Sequence, residues 1–235
     1  MFHRLWSFVL AAFFAMAPCT VAGPIVNGDF EDGTLSGWTA FRTTNGTVGS
    51  GIPAFPRVVL FDTAGSGTSL VAQFRVGQVV FEGSSSPRGG GIFQIITTSA
   101  GPLNFRANVS ALGLCDQECA NVDAGAFELQ LDGAVLDRVD LGPIGNGEVL
   151  RGVLSGSVAV GAGSHDLRIQ ITRTHTEAGA TQYVDDVAAT AAPEAGSEVL
   201  LGVGGAALWL LRRRRLGVSA IAVNAPPATR AAGLS

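Results

Sequence analysis

The sequence of 235 residues has no lysine; all fifteen of its basic residues are arginine. Charged residues make up only 14% and aromatic ones 7%, with a single tyrosine and three tryptophans. A net charge of −4 gives no footing for nucleic acid, which needs a basic surface. Three histidines and three cysteines are present, and no second Cys or His pair lies near Cys115 and Cys119 to complete a four-ligand zinc site. No G-x-S-x-G elbow, H-E-x-x-H helix or P-loop occurs, so the common hydrolase, zincin and nucleotide-binding signatures are excluded. No repeat of solenoid length is visible. Long hydrophobic runs are also missing. The two apolar stretches present, one near each end, are both shorter than a membrane span.

The N-terminal stretch has the order of a secretory signal. Arg4 supplies the positive region, Leu5–Ala17 the apolar core, and small residues follow. A cut after Ala22 puts Thr20 and Ala22 at the −3 and −1 positions, so residues 1–22 are read as a signal peptide. A first transmembrane helix is the other reading, but the run is short and ends at Pro18. Export permits disulfides. Cys115 and Cys119, close together in a polar stretch, are read as a loop disulfide, with free thiols as the alternative.

From residue 23 to 190 the chain reads as short β segments separated by turn residues. These are 57–61, 69–76, 91–98, 103–112, 126–141, 153–160, 165–173 and 181–190. The 126–141 segment is expected to be a hairpin turning at Asp132-Gly133. Phe127, Leu129 and Leu131 alternate with polar neighbours, as do Leu167, Ile169 and Ile171. With no helical period inside the body, the fold class is all-β, a sandwich.

The two ends of this body pose a common problem. In "QYVDDVAAT" (182–190), strict alternation sends either Asp185 or Asp186 inward. In "NGDFEDG" (27–33), read as a first strand, Asp29 and Glu31 flank Phe30, which wants the core. A buried carboxylate needs a cation. Calcium, which takes six or more oxygens, would serve both ends and tie them together. Pairing of Asp185 with an arginine such as Arg106 or Arg168 is the alternative.

At these residues the sequence resembles a family. "NGDFEDGTLSGWT" and "YVDDV" are similar to the opening and closing motifs of galactose-binding-like jelly-roll domains, among them carbohydrate-binding modules of xylanases and glucanases. "SLVAQF", "FQIITTSAGPLNFRANVSA" and "ELQLDGAVL" follow in the family's order. The resemblance implies a jelly-roll β-sandwich over 23–190 and a structural calcium held by Glu31 and Asp185. It also implies a core position for Trp38 and binding of carbohydrate or exopolysaccharide. The composition supplies few aromatic platforms: Phe41, Phe55 and Phe81, near loops, are the exposed candidates. A matrix role without a small ligand is the other reading. Ser164-His165-Asp166 holds the residue types of a triad, but neighbours in a strand face opposite ways, so no enzyme is expected.

Beyond a linker (191–198), an apolar run of roughly 13 residues, Val199–Leu211, would reach about 20 Å as a helix, against about 30 Å of hydrocarbon. Arg212, Arg213, Arg214 and Arg215 follow and would stay cytoplasmic. With Pro193 and Glu194 ahead, the segment resembles a PEP-CTERM sorting signal. That implies an exosortase-type processing protease, transient inner-membrane insertion, and delivery to the cell surface or extracellular matrix. Ala195 replaces the family's second proline, and residues 216–235, expected to be disordered, extend past the arginines. The alternative is a single-pass anchored sandwich with weak glycosidase or other hydrolase activity.

Overall fold

A computed structural model describes residues 25–114 and 122–191. The signal peptide, Cys115, Cys119, Pro193, Glu194 and Arg212–Arg215 lie outside the described residues. Among the described residues, no helix is long and apolar enough to cross a membrane.

The strands are, in chain order, β1 (Thr39–Arg42), β2 (Gly46–Thr47), β3 (Arg57–Phe61), β4 (Ser69–Phe74), β5 (Gly77–Gln78), β6 (Arg88–Thr98) and β7 (Gly101–Gly113). They continue as β8 (Val122–Asp123), β9 (Ala126–Leu131), β10 (Ala134–Asp140), β11 (Pro143–Ile144), β12 (Val149–Val160), β13 (Gly163–Arg173) and β14 (Ala180–Ala191). Two five-stranded antiparallel sheets, ordered β1-β6-β13-β9-β10 and β12-β7-β14-β4-β3, face each other as a jelly-roll sandwich.

Period-two alternation builds the core. Phe127, Leu129, Leu131, Leu167, Ile169 and Ile171 point inward from the first sheet and are buried. Leu103, Phe105, Ala107, Val109 and Val184 answer them from the second. Burying each large side chain contributes about 1.5–3 kcal/mol, so register is strongly specified. The β9–β10 hairpin turns at Asp132 and Gly133, whose φ values of 51° and 80° suit a two-residue loop.

Both ends of the body depart from the sequence reading. Residues 26–29 and 31–32 form turns rather than a strand. Phe30, at φ 54°, swings into the core with its ring centroid 6.0 Å from that of Trp38. Trp38 is buried, as its motif implies, and its indole N–H donates to the Asn27 carbonyl at 3.0 Å. In β14 the register against β7 shifts between Asp185 and Ala188, and Asp186 adopts φ 50°. This bulge breaks the alternation: Val184 and Val187 both join the core, Asp185 is buried between them at 2% exposure, and Asp186 is exposed. The two ends do meet: Val187 N–H donates to the Gly28 carbonyl at 2.8 Å, and a Cβ on Gly28 would strike the Val187 carbonyl oxygen.

Candidate functional site

The outer face of the first sheet presents one residue from each of its five strands in successive rows. Thr39, Phe93, Arg168, Gln130 and Val135 stand opposite one another in one row. Phe41, Gly91, Gln170, Glu128 and Arg138 form the next. Phe41 and Phe93 are half-buried and meet edge to face, with centroids 6.3 Å apart. The Arg168 guanidinium carbon sits 5.1 Å from the Phe41 centroid and 5.2 Å from that of Phe93. Its Nε donates to both Asp166 oxygens at 3.0 Å. That bond to Asp166 raises the Arg168 pKa, keeping the charge fixed above the rings. Gln130 and Arg138 both donate to Glu128, at 2.8 and 2.9 Å. A Cβ on Gly91, between Phe41 and Gln170, would strike the Ile169 carbonyl oxygen. A cleft of about 580 Å³ adjoins Phe93, lined by Val26, Thr39, Gln94, Ile95 and Thr97 among others. Aromatic floor, charged pair and ordered amides can together stack on the C–H face of a sugar and bond its hydroxyls.

Of the three candidate aromatics, only Phe41 belongs to this surface. Phe55 is buried at 8% exposure, with the Arg57 guanidinium 4.4 Å from its centroid. Phe81 is exposed and stands beside His175. Phe93 has no role in the sequence reading, and Arg168 enters it only as an alternative partner for Asp185. Their alternation against Ile92 and Ile169 was legible, but the register that puts them side by side was not.

The outer face of the second sheet is different. Arg151, Ser110, Tyr183, Gln73 and Arg57 cross it in one row. Tyr183 is buried and lies flat on Phe61, with centroids 3.7 Å apart and planes at 3°. Burial pushes the Tyr183 phenol up, while its bond from Gln73 works the other way. The loop after β3 reaches back over this row. Arg151 donates to the Asp62 carbonyl and carboxylate at 3.1 and 3.3 Å.

At the margin of that covered face lie the two predicted metal ligands. Asp185 is 2% exposed. It accepts from the Ser69 hydroxyl at 2.6 Å and from Asp186 N–H at 2.8 Å. Burial pushes its pKa up to about 6, and the charges of Asp186 and Glu31 push the same way. Glu31 is exposed and accepts from Leu70 N–H at 3.1 Å. The arginine alternative does not hold in this geometry: Arg168 is bound to Asp166 on the other sheet, and Arg106 stands opposite Ala188. Among the described residues no group of three or more His, Cys, Asp or Glu side chains is placed to hold a metal. Beside the Glu31 and Asp185 carboxylates, the oxygen donors are the Ser69 hydroxyl and nearby backbone carbonyls, the kind of oxygen ligand a calcium ion would require.

His165 pairs with Asp132, not with its chain neighbours. Its Nδ1 lies 2.7 Å from Asp132 Oδ2 and its Nε2 3.0 Å from the Gly161 carbonyl. Both ring nitrogens are thereby engaged, which leaves neither to activate a nucleophile.

No family model matches the chain, and no curated protein does. Solved structures are similar to it at low identity. A family 61 carbohydrate-binding module in complex with β-1,4-galactotriose is 15% identical, with TM-score 0.41 over 72% of this chain and 99% of that one. A xylan-binding domain of carbohydrate-binding family 22 is 16% identical, with TM-score 0.41 over 73% and 97%. The C-terminal family 22 module of Clostridium thermocellum Xyn10B is 16% identical, with TM-score 0.39 over 72% and 97%. At these scores the likeness carries nothing about ligand or residue roles.

Proposed function

We propose that this chain is an exported, non-catalytic surface or matrix protein whose sandwich binds polysaccharide on the outer face of its first sheet. The observation that supports this reading is the Phe41–Phe93 floor under the Arg168–Asp166 pair, with Glu128, Gln130 and Gln170 in adjoining rows. Sugars are held by such combinations: apolar C–H faces on rings, hydroxyls on planar polar groups. Calcium held by Glu31 and Asp185 serves as a structural tie between the chain's ends. Delivery follows the sorting reading of Pro193, Glu194 and Arg212–Arg215, with processing by an exosortase-type protease at the inner membrane.

Affinity electrophoresis of the full chain in gels containing galactan or xylan tests the binding. Retardation is expected for the wild type and is lost in Phe93→Ala and Arg168→Ala. Equal retardation of all three proteins would refute the site. Mass spectrometry of the protein from its host tests delivery: a C-terminus near Glu194 supports processing, and an intact Arg212–Arg215 refutes it.

A further inference from the structure

His165 is placed between two acceptors. Asp132 offers a carboxylate oxygen to Nδ1, and Gly161 offers its carbonyl oxygen to Nε2. A neutral imidazole has one N–H and one lone pair, so it satisfies only one of these neighbours and repels the other. Only the imidazolium, with two N–H donors, fits both.

The same carboxylate continues into the binding face. Asp132 Oδ1 accepts from Asp166 N–H at 2.8 Å, and Asp132 N–H donates to the Asp166 carbonyl at 2.9 Å. The Asp166 side chain holds Arg168 over Phe41 and Phe93. A chain of direct contacts thus runs from the His165 ring through Asp132 and Asp166 to Arg168. The groups facing His165 are few. Asp132 comes from the β9–β10 turn, the Gly161 carbonyl from the β12–β13 turn, and Ile96 is its register partner on β6. On its own strand, the Asp166 carboxylate is turned to Arg168.

We propose that His165, Asp132 and Gly161 form a proton-dependent latch that fixes the Asp166–Arg168 pair over the aromatic floor and so tunes polysaccharide binding with pH. This rests on the sugar-binding reading of that face. The bond to Asp132, then that to Gly161, raises the His165 pKa above 6.5. The bond from His165, then that from Asp166 N–H, lowers Asp132 below 3.8. The latch is closed between those two displaced values and opens as pH rises through that of His165.

The test uses full chain carrying isotope-labelled histidine and arginine, with His165→Gln and Asp132→Asn variants to assign and break the contact. NMR follows the His165 ring and the Arg168 Nε–H signal from pH 5 to 9, and galactan and xylan gels are run over the same range. A His165 midpoint above 6.5, with the Arg168 signal changing in step in the wild type and not in Asp132→Asn, supports the latch. Retardation in the wild type then weakens as pH rises through that midpoint, and in Asp132→Asn it does not. A midpoint at or below 6.5, or an Arg168 signal indifferent to the titration, overturns it. Absence of retardation at every pH, with ring and guanidinium titrating together, overturns the sugar reading alone.

Discussion

The two outer faces of the sandwich are built from the same strand geometry and put polar residues to opposite uses. On the first sheet, Phe41, Phe93, Arg168 and Gln170 stay half-buried beside an open cleft of about 580 Å³. On the second, Tyr183 and Asp185 sit at 3% exposure or less, the phenol accepting from Gln73 and the carboxylate from Ser69. A polar group under cover must be satisfied internally and therefore contributes to stability. One in the open can exchange its partners for a ligand's. Stability is expected to depend on the covered face, and recognition on the open one.

The largest effect should come from Tyr183→Ala. It removes a buried ring stacked on Phe61 and leaves Gln73 without its phenol partner. A cost of about 3–5 kcal/mol is expected by denaturant unfolding, as for other buried aromatic deletions. Calcium removal should come next. EDTA lowers the melting temperature and added calcium restores it, by about 2.7 kcal/mol where free calcium stands at a hundredfold excess over its Kd. Glu31→Gln and Asp185→Asn should abolish that difference. A melting curve unmoved by EDTA would remove the metal from the covered face.

On the open face the order reverses. Phe93→Ala should cost about 1–2 kcal/mol, because the ring is only half-buried, while removing retardation in polysaccharide gels. A variant that loses stability and binding in proportion would erase the distinction between the faces. Arg151→Ala tests how the cover is held. Arg151 and Asp62 are both more than a third exposed, so their ion pair contributes about 0–1 kcal/mol to global stability. The expected sign is local: faster proteolysis within residues 62–68, with the unfolding midpoint nearly unchanged.

Much of this contrast was hidden in the sequence for identifiable reasons. Alternation in 126–131 and 165–173 placed Phe127, Leu129, Leu167 and Ile169 correctly, because apolar burial on one face leaves a period-two trace. The Asp132-Gly133 turn was legible from its dipeptide. The bulge at Asp185–Asp186 was not, since one extra residue leaves no mark on composition and reverses the facing of everything after it. Phe30 misled similarly: a phenylalanine at positive φ is uncommon, and the motif around it looks like a strand. The open face of the first sheet was legible only at Phe41, because its meeting with Phe93 and Arg168 depends on the register of three strands. Glu31 and Asp185 were approached through a family resemblance, and the structure adds the contacts that surround each.

The smallest expected effect lies at the edge between the two turns, where His165 meets Asp132. A group with a raised folded pKa contributes stability that is complete below its unfolded value, near 6.5, and is lost as pH rises through the folded one. Asp132, displaced downward, contributes above 3.8 and loses its share as pH falls through its own folded value. The pair's own contribution should therefore decline on both the acid and the mildly alkaline side of a plateau, and Asp185, raised to about 6, adds a separate loss as pH rises from 3.8 towards 6. His165→Gln should remove the alkaline decline and leave the plateau's core unfolding cooperative. Asp132 is more than half exposed, so salt should shrink the decline as well. Measured beside Tyr183→Ala, this sets the scale of the comparison: a contact on the open side shifts the melting curve slightly while governing where Arg168 is held. An alkaline decline that persists unchanged in His165→Gln would assign the titration to another group and detach pH from the binding face.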